Sequence, residues 1–267
     1  MNLDASNKTP VVIWHGLGDS CCEEMGMNKI KKFIQEEIPG TYVYSAQLAD
    51  SAYKDRISGF YGNINEQIDK ICNTLKNDVN IQDEYYGLGF SQGGLFLRAL
   101  HQRCPYPRMK KLVTFGSPHA GIASPPPCKN SDMVCWGINK ALVAYGYTDM
   151  FQRSVVPAQY YKSPNELERY LEKSIFLPDI NNELLINQTY VDQIKKLEKL
   201  VLIHFMHENV LDPKKSSWFS FYGSDNEVIS LKNSTLYKDD RLGLKYLDEN
   251  NRIDFLEIPE MHASLFC

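Results

Sequence analysis

Apolar residues along the chain follow two alternating rhythms. The run Thr9-Pro10-Val11-Val12-Ile13-Trp14-His15 is short and unbroken and opens into His15-Gly16-Leu17-Gly18-Asp19, so it reads as a buried strand entering a glycine-rich loop. From Met27 the pattern changes: Ile30, Phe33, Ile34 and Ile38 recur at helical spacing until Pro39-Gly40 stops them. Thr41 to Leu48 is again β-rich, and Ile64, Ile68, Ile71 and Leu75 mark a second amphipathic helix. Glu84 to Phe90 reads as strand, Leu95 to His101 as helix and Lys110 to Gly116 as strand. Strand and helix in strict alternation predict an α/β fold, a mostly parallel sheet with helices on both faces.

The rhythm breaks after Ser117. Up to about Lys199 there are helix-like pieces at Val134 to Tyr145, Glu166 to Ser174 and Tyr190 to Leu200, but no clear strand. So long a stretch between two sheet strands is expected to be a cap rather than a structureless loop. Leu200 to Phe205 and Ile253 to Ile258 then resume the sheet. The expected organisation is one domain over residues 1–267, with a helical cap inserted at about 120–198.

Composition narrows the function. With 43% hydrophobic and 23% charged residues, the 267-residue chain is an ordinary globular sequence, and a net charge of −4 offers no general attraction for nucleic acid. No apolar run reaches the roughly 20 residues of a membrane-spanning helix, and the first residues lack a basic-then-apolar signal pattern. There are seven cysteines, none in CxxC spacing or beside a plausible histidine cluster, so no metal is expected. Three bridges with one thiol left over, or seven thiols in a reducing core, both remain open. The sequons at Asn7, Asn187 and Asn233 agree with an oxidising, secretory route, and Asn187 and Asn233 are candidate glycosylation sites.

The sharpest chemical signal is Gly89-Phe90-Ser91-Gln92-Gly93-Gly94, a Gly-x-Ser-x-Gly motif between a strand and a helix. A serine on so tight a turn is strained, and side chains two residues to either side would collide unless they are glycine. Ser91 is therefore the candidate nucleophile, and it needs a base and an orienting acid. Chain order in such enzymes is serine, acid, histidine. Of the six histidines, His204 lies within an apolar run, His207 occupies the loop reserved for the acid, and His119 precedes the cap in the wrong order. His262, just beyond the last strand, is the candidate base. Asp212 is the expected acid, with Glu208 in the same loop as its competitor. Backbone N–H groups of Gln92 and, from the early glycine loop, Leu17 are the candidate oxyanion donors.

With these residues in view, the chain resembles the palmitoyl-protein thioesterase family, lysosomal type. The matching stretches are His15-Gly16-Leu17-Gly18-Asp19-Ser20-Cys21-Cys22, Gly89 to Ala99, Ser174 to Asn181, Leu211-Asp212-Pro213 with Trp218-Phe219, and Leu236 to Lys245. The resemblance runs from about Pro10 to His262 and implies an α/β-hydrolase with a helical cap lining an acyl groove. It implies hydrolysis of the thioester between long fatty acyl chains and protein cysteines, with S-palmitoylated proteins or peptides as substrates and no cofactor. It places Ser91, Asp212 and His262 at the catalytic positions and the Leu17 and Gln92 amides at the oxyanion hole. It also implies bridges Cys21–Cys22, Cys72–Cys104 and Cys128–Cys135, leaving Cys267 unpaired, and a lysosomal or secretory location. Relatives continue past Cys267 into a final helix. A lipase or carboxylesterase acting on oxygen esters would use the same residues. A catalytically silent acyl-binding protein is the alternative from another class, and a monomer is the default expectation.

Overall fold

The computed structural model describes residues 8–127 and 133–262. Eight strands are present among them: β1 (Val11–Trp14), β2 (Val43–Ser45), β3 (Glu84–Phe90), β4 (Arg108–Phe115), β5 (Lys199–His207), β6 (Phe221–Tyr222), β7 (Val228–Ile229) and β8 (Ile253–Met261). Six of them form one sheet in the order β2-β1-β3-β4-β5-β8. Every pairing in it is parallel, and β6 and β7 make a separate antiparallel hairpin.

Alternation along β1 explains why helices lie on both faces. Val12 and Trp14 enter the large core, while Val11 and Ile13 point to the other side and join a second, smaller cluster. The smaller cluster is covered by α1 (Met27–Glu37) through Met27 and Ile30. After α1 comes α2 (Ala52–Ser58), a short helix capped by the Ser51 hydroxyl. The large core takes Ile64, Ile68, Ile71 and Leu75 of α3 (Ile64–Asn77) and Leu95, Phe96, Ala99 and Leu100 of α4 (Gln92–Arg103). The predicted spacing of the α3 positions is thus its buried stripe. A Cys72–Cys104 disulfide ties α3 to the end of α4, with Cα atoms 5.8 Å apart.

Between β4 and β5 the chain builds α5 (Met133–Tyr145), α6 (Asp149–Ser154), α7 (Leu167–Lys173), α8 (Leu177–Ile180) and α9 (Gln188–Lys195). The expected helical pieces are present, except that the third stops at Lys195 and β5 begins at Lys199. The inserted segment is not loosely appended. Phe176, Leu177 and Ile180 share the main core, and the fully buried Arg98 of α4 donates to the carbonyls of His119 and Ile180 and to Asn181 Oδ1, the last at 2.7 Å. Two short helices, α10 (Thr235–Lys238) and α11 (Leu244–Glu249), lead into β8. Among the described residues no helix is long and apolar enough to cross a membrane.

The Cys21–Cys22 bridge is also formed. The expected Cys128–Cys135 bridge, Asn7 and Cys267 fall outside the described residues.

Candidate active site

Ser91 stands between β3 and α4 with φ 49° and ψ −123°, the strained conformation the motif predicts. The glycines are there because backbone occupies their side-chain space. A Cβ on Gly89 would lie 2.3 Å from Gly94 Cα, and one on Gly93 would lie 2.3 Å from the Trp14 carbonyl oxygen at the end of β1. The Ser91 N–H donates to the Phe115 carbonyl at 2.7 Å, tying the turn to the tip of β4.

His262 meets this hydroxyl from the far side of the sheet, its Nε2 2.9 Å from Ser91 Oγ. Its Nδ1 is 2.7 Å from Oε2 of Glu208. An ionised carboxylate only accepts, so Nδ1 carries the proton and Nε2 presents its lone pair to the serine O–H. The Glu208 side chain is fully buried, and its Oε1 accepts the N–H groups of Val210 at 2.8 Å and Leu211 at 3.0 Å. Burial alone would raise this carboxyl. His262 and the two amides outweigh it and hold the group below the ordinary carboxylate range.

The carboxylate of Asp212, the acid expected from chain order and position as well as from the resemblance, is engaged elsewhere. Its Oδ2 accepts the Ser124 hydroxyl at 2.8 Å and its Oδ1 the Tyr222 hydroxyl at 2.7 Å, while its carbonyl takes the Ala123 N–H. The reason is strand register. In the parallel pairing of β5 with β8, His207 lies opposite Met261, so the next residue on each strand, Glu208 and His262, are neighbours. Asp212 is four residues further on and pins the start of the inserted segment instead. The competitor in that loop is the residue that reaches the base, and the signal that would have found it is its position directly at the end of a strand.

The two oxyanion candidates lie on either side of the serine turn. Gln92 is the first residue of α4, so its N–H has no partner within the helix. Leu17 follows Gly16, where a Cβ would lie 3.2 Å from Ser91 Cβ. The loop bearing Leu17 therefore passes directly over the serine. It is braced from beneath by a second buried pair: His15 Nε2 stands 3.2 Å from Asp55 Oδ2, and Asp55 also accepts the N–H groups of Cys21 and Leu48. His119 packs elsewhere, stacked on Phe219 and accepting from Arg98 Nε, consistent with its expected packing role. His204 is buried against the Ser217 hydroxyl.

Ser91, His262 and Leu17 open into a cavity of about 290 Å³. Its walls are chiefly apolar, from Met27, Ile30, Phe90, Ile122, Val210 and Leu211, with Tyr160 of the inserted segment on one side. Asp19 is the carboxylate on its rim, raised above its ordinary range by burial despite the Ser20 N–H it accepts. Such a chamber suits an acyl chain, each buried CH₂ being worth about 0.8 kcal/mol.

A parallel sheet in this order, with a strained serine turn after its central strand and a histidine after its last, defines the class: an α/β-hydrolase built as a serine hydrolase. The chain belongs to the palmitoyl protein thioesterase family, whose model matches residues 10–262. It is 43% identical over 264 residues to palmitoyl-protein thioesterase 1 of Caenorhabditis elegans, covering 98% of this chain and 89% of that protein. It is 34% identical over 249 residues to palmitoyl-protein thioesterase 3 of Dictyostelium discoideum, covering 92% and 82%. Lysosomal thioesterase PPT2-B of Xenopus laevis is 29% identical over 258 residues, covering 96% and 86%.

Proposed function

We propose that the chain hydrolyses the thioester linking a long-chain fatty acyl group to a protein cysteine, with Ser91 as nucleophile, His262 as general base and Glu208 as the acid that orients it. The observation that carries this reading is the line of hydrogen bonds from Glu208 through His262 to Ser91 at the wall of an apolar cavity, in a member of this family. His262 takes the Ser91 proton as the hydroxyl oxygen attacks the thioester carbonyl. Negative charge gathers on the carbonyl oxygen, opposite the Leu17 and Gln92 amides. The tetrahedral species collapses with loss of the cysteine thiolate, which takes the proton from His262. Water, deprotonated by the same imidazole, then releases the fatty acid. Glu208 holds the tautomer and stabilises the imidazolium without itself becoming protonated.

The protein works in the lysosome or elsewhere on the secretory route. Two disulfides, a relative named as a lysosomal thioesterase, and exposed sequon asparagines at Asn187 and Asn233 support that location. These asparagines are the glycosylation sites this route would use.

The test is turnover of a palmitoylated cysteine peptide and of the matched oxygen ester by the native chain and by Ser91→Ala. The expected result is thioester hydrolysis favoured over the oxygen ester and a fall of at least about 10⁴-fold in the variant. Equal or faster cleavage of the oxygen ester would assign an esterase instead. Palmitate binding without turnover would leave an acyl-binding protein.

A further inference from the structure

The inserted segment reaches the nucleophile turn through one side chain. Tyr160, only 3% exposed, lies on the cavity wall and its hydroxyl donates to Gln92 Oε1 at 2.8 Å. The same amide donates through Nε2 to the Gly59 carbonyl at 3.2 Å. A carbonyl oxygen can only accept, so Gly59 fixes the Nε2 side of the amide and leaves Oε1 to the phenol. Gly59 in turn abuts the oxyanion loop, since a Cβ there would lie 3.8 Å from Gly18 N. Burial keeps the Tyr160 phenol protonated well above the working pH range, so the donor is permanent.

Gln92 is a buried polar side chain whose two functional atoms are both spent on this clamp. What the clamp holds is the peptide between Ser91 and Gln92. That peptide's carbonyl, on Ser91, accepts the Gly94 N–H at 3.1 Å, while its N–H belongs to the first residue of α4 and has no partner within the helix, so the clamp holds the Gln92 end of the same peptide. A donor aimed in advance at the developing oxyanion needs no reorganisation in the transition state, whereas a donor free to rock does.

We propose that Tyr160 is a positioning residue for the oxyanion hole: through the Gln92 side chain and the Gly59 carbonyl it aims the Gln92 N–H at the tetrahedral oxygen, and so couples the seating of the inserted segment to the rate of acyl transfer. This rests on the thioesterase reading above. It adds that a residue on the acyl-cavity wall acts on the transition state rather than on chain binding.

The experiment compares the native chain with Tyr160→Phe, Gln92→Met and the double variant. Three quantities are read: kcat and KM on a palmitoyl-cysteine peptide, Kd for palmitate, and Ki for a long-chain alkyl trifluoromethyl ketone, which forms an oxyanion on the serine. Tyr160→Phe keeps the ring on the cavity wall and removes only the hydroxyl. It is expected to lower kcat about ten-fold, less than the 10²–10³ lost when a donor is deleted. Ki should rise by the same factor, with KM and palmitate Kd within about two-fold of native. Gln92→Met should reproduce the loss, and the double variant should be no worse than the poorer single one, because both break one chain. The proposal is overturned if kcat is unchanged, if palmitate affinity falls as far as kcat, or if the two losses multiply. Should Tyr160→Phe fail to fold, Gln92→Met carries the same comparison. If the native chain does not cleave the thioester, the thioesterase reading fails. The ketone Ki still reports whether the clamp aims the amide.

Discussion

Two histidine–carboxylate pairs stand at the carboxyl ends of the sheet, and they are alike in nearly everything except use. His15 follows β1 and faces the buried Asp55, and His262 follows β8 and faces the buried Glu208. Each carboxylate also accepts two backbone N–H groups, from Cys21 and Leu48 in one case and from Val210 and Leu211 in the other. Both are held below the ordinary carboxylate range because these partners outweigh the effect of burial. The difference lies at the second ring nitrogen. His262 turns Nε2 to the Ser91 hydroxyl, whereas His15 turns Nδ1 to the Gly16 carbonyl at 2.9 Å. The two ring nitrogens of His15 face the Gly16 carbonyl and the Asp55 carboxylate, so neither is turned to a serine. The first pair braces the loop that bears Leu17, while the second points at the serine hydroxyl. What distinguishes the histidine proposed as base from the structural one is the group on its far side, not the carboxylate behind it.

That contrast is most exposed to Glu208→Gln. An amide at this position keeps the size and the two backbone bonds but sets an N–H against Nδ1, favouring the wrong tautomer. A loss of roughly 10³–10⁴ in kcat with little change in Tm is expected. In Asp55→Asn the order reverses. Removing one partner of a buried pair should cost about 3 kcal/mol of stability, read from urea unfolding, while kcat at a temperature where the variant is folded stays within about ten-fold. Asp212→Asn sharpens the distinction within one loop: its carboxylate ties Ser124 to Tyr222, so kcat should change by less than about ten-fold. A loss as large as that of Glu208→Gln would return the acid role to Asp212. The smallest effect is in the acid limb of stability. Because both carboxyls are depressed in the folded state, each contributes fully above the unfolded value of about 4, and the contribution is lost as pH falls through the lower folded value. Urea midpoints measured between pH 3 and 7 should be level down to about pH 5 and then fall. The fall should be shallower in Asp55→Asn, which has one such carboxyl fewer.

The parts of this site that were legible in the sequence are those with a local cause. The turn at Ser91 demands glycine at 89 against Gly94 within the same six residues, the Gly-x-Ser-x-Gly motif itself is contiguous although Gly93 is required by the distant Trp14 carbonyl, and the alternation of β3, α4 and β4 frames it. The histidine that faces Ser91 was readable from the position of His262 just after a strand. Which carboxylate meets that histidine was not, because the choice between Glu208 and Asp212 depends on how β5 and β8 align, and that alignment joins residues 54 positions apart. The short elements were hidden for a related reason. α2 and α8 are too brief to persist on helical propensity, so tertiary partners hold them: Asp55 of α2 reaches the brace beneath the oxyanion loop, and Leu177 and Ile180 of α8 enter the main core. No periodic pattern announces such a segment. The role of Tyr160 was likewise invisible, since it depends on a contact between residues 68 positions apart.

The register of β5 and β8 carries a consequence for how this scaffold tolerates change. Glu208 and His262 hang from the tips of two adjacent, hydrogen-bonded strands, so their meeting is set by the ladder between Leu200↔Ile253 and His207↔Met261 rather than by the chain that connects them. The exposed turn from Ser224 to Val228 can then lengthen or shorten during divergence without moving this pair, whereas Phe219, Leu231, Leu236, Leu242, Leu244 and Leu247 of the same connection are bound into the main core. A one-residue slip within β8 would instead turn His262 to the opposite face of the sheet. Variation is cheap at that turn and forbidden within the strands, which makes the turn a natural place to graft new recognition surfaces.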